Sequence, residues 1–266
     1  MKIPYWHVDA FARRPFAGNQ AAVMVLDEWL PDDTLLAIGE ENNFAETAFV
    51  VKDATGQSDW ELRWFTPATE IRLCGHATLA SGFVLAERDG VDRVTFRTRK
   101  AGLLEVRRAE VGYELALPAI ATERDDWAEA LALLGGNVRE VWRNPDRYNI
   151  FLFDHERDVL ALDPDLRGLR ALGDDQFICT APGNDTDVVS RVFVPGAGVD
   201  EDSFTGSAHA CLTPFWADKL DRESFSAFQA SKRGGHAQCR LEGDRVWLAG
   251  DCVTVVEGSF YVPGEG

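Results

Sequence analysis

Two short runs of this chain match each other across half its length. LCGHATL at 73–79 and FTGSAHA at 204–210 each set a glycine and a small polar residue ahead of an almost wholly apolar helix. Gly75 and Gly206 stand 131 positions apart in 266 residues. A helix that is apolar on every face has to be buried on every face, so each half must wrap something around its own helix. Strand-like segments supply the wrapping. In the first half they fall at 21–26, 46–52, 60–65, 94–98, 102–109 and 113–118. A helix opens there after Pro31, with Asp32 as its expected N-cap. In the second half an amphipathic helix is expected over 125–135 and a buried helix within 201–220. Strands are expected at EVWRN, NIFLFD, 177–182 and 188–196, and again at HAQCRLEG, RVWLAGD and CVTVVEGSFYV. The pattern is an internal repeat. It predicts an α+β chain of two similar halves, each a set of mainly antiparallel strands around a central buried α-helix. The expected boundaries are 1–118 and 119–266, with terminal strands free to exchange between the halves.

Composition narrows the partners. The formal net charge of −17 disfavours nucleic acid and anionic membrane surfaces, which repel such a field. No apolar run reaches the ~18 residues of a membrane span, and the first residues lead into strand-like sequence without a signal-peptide core. Five cysteines at irregular spacing read as reduced thiols, and the expected location is the cytoplasm.

Helix starts carry unpaired backbone N–H groups and partial positive charge. Two of them facing one cleft would grip an anion, most simply a substrate carboxylate. Gly75 with His76, and Gly206 with Ser207, are the candidates, since glycine lets a ligand approach the backbone closely. Glu46, in NNFAETAFV, sits among Phe44, Ala45 and Ala48, a setting that desolvates it and suits a general acid/base. Asp202 lies just ahead of the second glycine turn. His76 can orient or protonate a ligand, whereas His209, inside the second helix, reads as a core residue. Cys74 is a candidate nucleophile at a helix start, yet its counterpart is Thr205, so no second thiol stands in register. A metal site built from Cys74, His76, His209 and Cys211 has the inventory for zinc but the wrong spacing, because residues i and i+2 on a helix point about 200° apart. No metal is expected. P-loop, zincin and G-x-S-x-G motifs are missing from the sequence.

DAFARRPFAGNQAAV, NNFAETAFV, RWFTPATEIRLCGHATLA, EDSFTGSAHACL and GDCVTVVEGSFYV follow one another across nearly the whole chain. Together they resemble the phenazine-biosynthesis PhzF-like isomerase family, related in fold to diaminopimelate epimerase. The resemblance implies two strand barrels, each around a central helix, with the active site in the cleft between them, in a cofactor-free enzyme that is usually a homodimer. It assigns catalytic roles to Glu46, as acid/base, and to His76 and Asp202. Substrate-binding positions fall on Gly75, Gly206, Ser207 and, in AGNQAAV, Asn19. Cys74 and Thr205 fall where the epimerase relatives keep two catalytic cysteines, so two-thiol epimerisation is in doubt. Phe204 stands where many relatives carry a smaller residue, and either narrows the pocket or fills the core.

The expected function is therefore an isomerase that shifts a proton on a small carboxylate-bearing substrate. Two alternatives stand beside it. One is a racemase or epimerase using Cys74. The other is a non-catalytic small-carboxylate binder on the same scaffold.

Overall fold

The computed structural model describes residues 1–262. The chain divides into two compact units, residues 1–116 with the returning segment 249–262, and residues 117–248. In the first unit β1 (Lys2–Ala10) and β2 (Asn19–Val25) are antiparallel, and α1 (Asp32–Asn42) carries the chain back so that β3 (Glu46–Lys52) lies parallel to β2. Then β4 (Trp60–Phe65) turns back along β3 and pairs with the short β5 (Glu70–Ile71). A second crossover, α2 (Gly75–Asp89), brings β6 (Arg93–Thr98) parallel to β4, and β7 (Leu103–Arg108) and β8 (Tyr113–Pro118) close the run as antiparallel strands.

The second unit repeats this order. After β9 (Glu123–Asp125) and α3 (Ala128–Leu134) come β10 (Val138–Arg143), β11 (Tyr148–Phe153), the short helices α4 (Glu156–Leu160) and α5 (Leu166–Ala171), and β12 (Gln176–Pro182). Next are β13 (Val188–Val194), β14 (Val199–Glu201), α6 (Gly206–Leu220), β15 (Ser224–Gln229), β16 (Gly235–Glu242) and β17 (Arg245–Gly250). Again the first crossover joins parallel strands, β11 to β12, and so does the second, β13 to β15. The last strand, β18 (Cys252–Tyr261), returns to pair along the whole of β1, as β9 pairs with β10. The expected boundary at 118/119 puts this strand in the second half, with terminal strands free to exchange. Its pairing with β1 puts it in the first unit.

Register makes the two units comparable residue by residue. Thr47 faces Phe65 and Phe49 faces Arg63, while Phe177 faces Phe193 and Cys179 faces Arg191. Glu46 and Gln176 are therefore equivalent, each the first residue of its strand. The duplication reaches individual ion pairs. Arg63 holds Glu70 through two hydrogen bonds of 2.8 Å, and Arg191 holds Glu201 through bonds of 2.7 and 3.0 Å.

The strands of each unit are covered on two faces, which is why β3 and β12 read as continuous apolar runs rather than alternating ones. On one face of the first unit lies α2, packed against β1, β2, β3, β6, β7 and β18, with every residue from Gly75 to Gly82 buried. Gly82 is where the helix comes closest to the sheet. A Cβ there would lie 2.3 Å from the Cβ of Val106. Over the other face, α1 presses Leu35 and Ile38 onto Met24, Phe49 and Phe65. In the second unit α3, α4 and α5 do the same, through Ala130, Leu134, Val159 and Leu169 onto Phe151, Phe177 and Phe193.

Two local expectations are corrected. Asp32 does not cap α1. Pro31 holds the N-cap position without a side-chain bond, and Asp32 reaches out to Arg63 at 2.8 Å instead. The helix expected over 125–135 begins at Ala128, because Glu123–Asp125 pair with β10 as a strand. The helix α6 runs through Pro214, whose missing N–H leaves the Ala210 carbonyl without its intrahelical donor. The Ile120 N–H donates to that carbonyl at 3.1 Å.

Candidate active site

The first unit gathers Asn19, Glu46, Cys74, Gly75 and His76 at one end of α2. Cys74 is the N-cap, in extended conformation (φ −139°, ψ 114°), and no side chain caps the helix start. The first amides of the helix have no acceptor within it. Glu46, at the start of β3, extends its Oε2 to within 3.0 Å of His76 Nε2. The carboxylate is 16 % exposed and the imidazole 5 %, so the pair sits at the surface end of a buried helix with Glu46 outermost.

Asn19, at the start of β2, fixes the imidazole from its other side. The Gln20 N–H donates to Asn19 Oδ1 at 3.0 Å, which turns the amide NH2 towards His76 Nδ1 at 3.2 Å. An NH2 group can only donate, so Nδ1 accepts and the neutral ring carries its hydrogen on Nε2, facing Glu46. Burial works against the imidazolium form of His76, whereas an ionised Cys74 sulfur and the Glu46 carboxylate work for it, and the direction is upward from the ordinary histidine value. In both ring forms Nε2 carries a hydrogen and lies 3.0 Å from Glu46 Oε2 as an ion-pair contact.

Cys74 lies 3.5 Å from His76 Nδ1. Burial first, and the nearby Glu46 charge second, push its thiol up to about 11. The helix start, the Ala77 amide and His76 do not overcome them. A thiol so held is neutral near pH 7, the opposite of an activated nucleophile. Glu46, Cys74 and His76 are also the one cluster among the described residues whose ligand atoms lie close enough for a metal, within 4.8 Å of one another. Metal binding there requires proton loss from Cys74, whose thiol burial and the Glu46 charge keep neutral near pH 7. The other two residues of the candidate zinc set are engaged in the core of the second unit. His209 bonds through Nδ1 to the Thr205 carbonyl at 2.9 Å, burial holds its pKa down at about 4, and Cys211 is fully buried.

The second unit gathers Asp202, Thr205, Gly206 and Ser207 at the equivalent end of α6. Thr205 is the N-cap, again extended (φ −110°, ψ 100°) and without a side-chain cap bond. Its hydroxyl donates to Asp202 Oδ2 at 2.6 Å. Gln229, fully buried at the end of β15, binds this loop through both ends of its amide, including a bond from Nε2 to the Thr205 hydroxyl at 3.3 Å. Its Oε1 accepts from the Thr205 N–H at 2.9 Å and its Nε2 donates to the Asp202 carbonyl at 2.8 Å. Phe204 fills the core: it is fully buried, stacks on His209 at 4.3 Å, and leaves no room for a Cβ on Gly235. Ser207, one residue into the helix, has Gln176 Nε2 at 3.5 Å from its hydroxyl.

Of the residues singled out from sequence, Asn19, Glu46, Gly75 and His76 thus share one cluster, and Asp202, Gly206 and Ser207 share the other. Gln229 and Gln176 were not legible as members of the second. Both stand at strand ends, where a polar residue reads as an ordinary boundary.

The pattern of the family described as "Phenazine biosynthesis-like protein" matches residues 8–258. The chain belongs to this PhzF-type isomerase family. An uncharacterized isomerase of Pseudomonas aeruginosa is 43% identical over 261 residues, covering 97% of this chain and 98% of its own. The crystal structure of a PhzF-family protein from Enterococcus faecalis superposes with a TM-score of 0.92 at 42% identity, covering 98% of this chain and all of that one. A hydroxyproline epimerase from Agrobacterium vitis shares the fold at a TM-score of 0.60 and 12% identity, covering 97% of this chain and 92% of its own. The PhzF-type chain therefore has the diaminopimelate epimerase-like architecture, two α+β halves each wrapped about a helix. No helix among the described residues is long and apolar enough to cross a membrane.

Proposed function

We propose that this protein is a cofactor-independent isomerase that moves a proton on a small carboxylate-bearing substrate, with Glu46 as the general acid/base. The observation that carries this reading is the Glu46–His76–Asn19 chain. It places a partly exposed carboxylate with its Oε2 3.0 Å from His76 Nε2, and Asn19 fixes that imidazole from its other side.

In the proposed step the Glu46 carboxylate takes a proton from a substrate carbon, and the C–H electron pair moves into the substrate's conjugated system. Glu46, now a carboxylic acid, returns the proton to a second carbon on the same face, so substrate and product have the same atoms. His76, with Nε2 3.0 Å from Glu46 Oε2, keeps Glu46 aimed at the substrate. The uncapped starts of α2 at Gly75 and of α6 at Gly206, with the Ser207 hydroxyl, serve the substrate's carboxylate. Asp202 supplies a further polar contact. A fold relative, named a hydroxyproline epimerase, was crystallised with trans-4-hydroxy-L-proline, and that supports a small carboxylate as the ligand here. The neutral thiol of Cys74 argues against the racemase alternative, which needs it as a thiolate base.

The test is a panel of small carboxylic acids incubated with the protein in deuterium oxide and read by mass. The proposal expects at least one acid to gain deuterium at carbon with the wild type and none with Glu46→Gln. Undiminished wash-in by Glu46→Gln would remove Glu46 as the base. Ligand-induced thermal stabilisation without any wash-in would leave only a binding protein.

A further inference from the structure

We propose that Gln176 is the neutral counterpart of Glu46, a ligand-contacting residue whose amide lets the start of α6 hold an anion. The inference rests on the isomerase reading in taking the ligand to be a carboxylate. Its structural basis is the internal duplication.

Strand register makes Gln176 equivalent to Glu46, and helix position makes Ser207 equivalent to His76. The contact between them is duplicated as well. Glu46 meets His76 at 3.0 Å, and Gln176 Nε2 approaches Ser207 Oγ at 3.5 Å. The strand backbone around Gln176 is fully used, with its N–H donating to the Arg147 carbonyl at 2.9 Å and its carbonyl accepting from Asn149 at 3.2 Å. The side chain is different. Oε1 is shielded from solvent and has no hydrogen-bond partner among the described residues. A buried acceptor left unsatisfied costs stability, and a group kept in that state is one a ligand can satisfy.

The exchange of carboxylate for amide has a direct electrostatic consequence. A charge at 176 would stand beside the helix start that offers its free amides to an anion, and like charges a few ångströms apart repel. An amide keeps one donor and one acceptor and carries no charge. The two duplicated positions have therefore divided the work: the first unit keeps the base, and the second keeps a neutral hydrogen-bonding group. Thr205 in place of Cys74 and Ser207 in place of His76 extend the same division, since neither titrates near neutral pH.

The test uses the full-length protein with benzoate as the anionic probe and benzamide as its neutral isostere, each titrated by calorimetry or ligand-observed NMR. Gln176→Glu is expected to weaken benzoate by about tenfold or more at pH 8. Benzamide affinity should stay within about twofold, and the benzoate loss should recede as pH falls into the carboxylate range. Gln176→Met, which removes the amide without adding charge, should weaken both probes. Equal losses of benzoate and benzamide in Gln176→Glu would mean a structural disturbance and overturn the proposal. So would unchanged benzoate affinity in both variants, or failure of the wild type to bind benzoate. Deuterium wash-in that depends on Glu46 but is indifferent to Gln176 would reject this inference while leaving the isomerase reading intact.

Discussion

Cys74 offers a prediction whose magnitude follows from its surroundings. With the thiol pushed up to about 11 by burial and by the Glu46 charge, its thiolate fraction at pH 7.5 is roughly 0.0003, against roughly 0.1 for a free cysteine of pKa ~8.5. Thiolate supply alone should therefore slow alkylation about 300-fold, before any shielding by a site only 6% exposed. The assay is iodoacetamide labelling of the native protein, resolved peptide by peptide by mass spectrometry, with the unfolded chain as the free-thiol reference. Cys74 should label at least about 100-fold more slowly than in the unfolded chain, with a rate rising about tenfold per pH unit from 7 to 9. Glu46→Gln removes one of the causes of the elevated pKa and should accelerate the reaction. Labelling of native Cys74 at the free-thiol rate near pH 7.5, or a plateau below pH 9, would refute the reasoning and restore the cysteine as a nucleophile.

Other consequences can be checked on the scaffold. Gly82→Ala drives a Cβ to 2.3 Å from that of Val106, so denaturant unfolding should show a loss of about 1–3 kcal/mol, as for an overpacked core. Arg63→Met leaves Glu70 without its bidentate partner but with Arg99 at 3.3 Å, and should cost about 1.5–3 kcal/mol. Replacing Glu70 by leucine in the same chain should return part of that loss. The Arg63 hydrogen bonds hold Glu70 below its usual carboxylate value. A depressed folded-state pKa stabilises above the unfolded value and loses that contribution as pH falls through the folded one. The gap between wild type and Arg63→Met should therefore be full above about pH 5 and shrink below it. A gap constant from pH 7 to pH 3 would contradict the assignment.

Much of the architecture was legible because burial leaves a mark on composition. The two central helices are apolar all round, and the glycine turns ahead of them repeat at a fixed interval, so the halves, their helices and strands such as ETAFVVK and YELALP could be placed from residues alone. Five ordered motifs then identified the family. Other features escaped for physical reasons. The return of β18 to β1 is a pairing between the two ends of the chain, which local pattern does not encode. Asp32 had the chemistry of a cap but a stronger partner in Arg63, a contact across 31 positions. The duplicated Arg63–Glu70 and Arg191–Glu201 pairs did leave a trace, an R-x-F-x-P run at 63–67 and again at 191–195. It was hidden by the longer loop that follows the second copy. The site itself was half legible: its charged residues stood out by chemistry, whereas Gln176 and Gln229 acquire meaning only from the atoms they face.

The central claim is that proton transfer belongs to Glu46 and not to Cys74. The most direct measurement compares Glu46→Gln and Cys74→Ser on whichever carboxylic acid the wild type converts, each as kcat/KM for isomerisation under the same conditions. The account predicts a fall of about 10²–10⁴ for Glu46→Gln, the range expected when a general acid/base is removed, and a change of less than about tenfold for Cys74→Ser. A collapse of activity in Cys74→Ser with Glu46→Gln still active would contradict it.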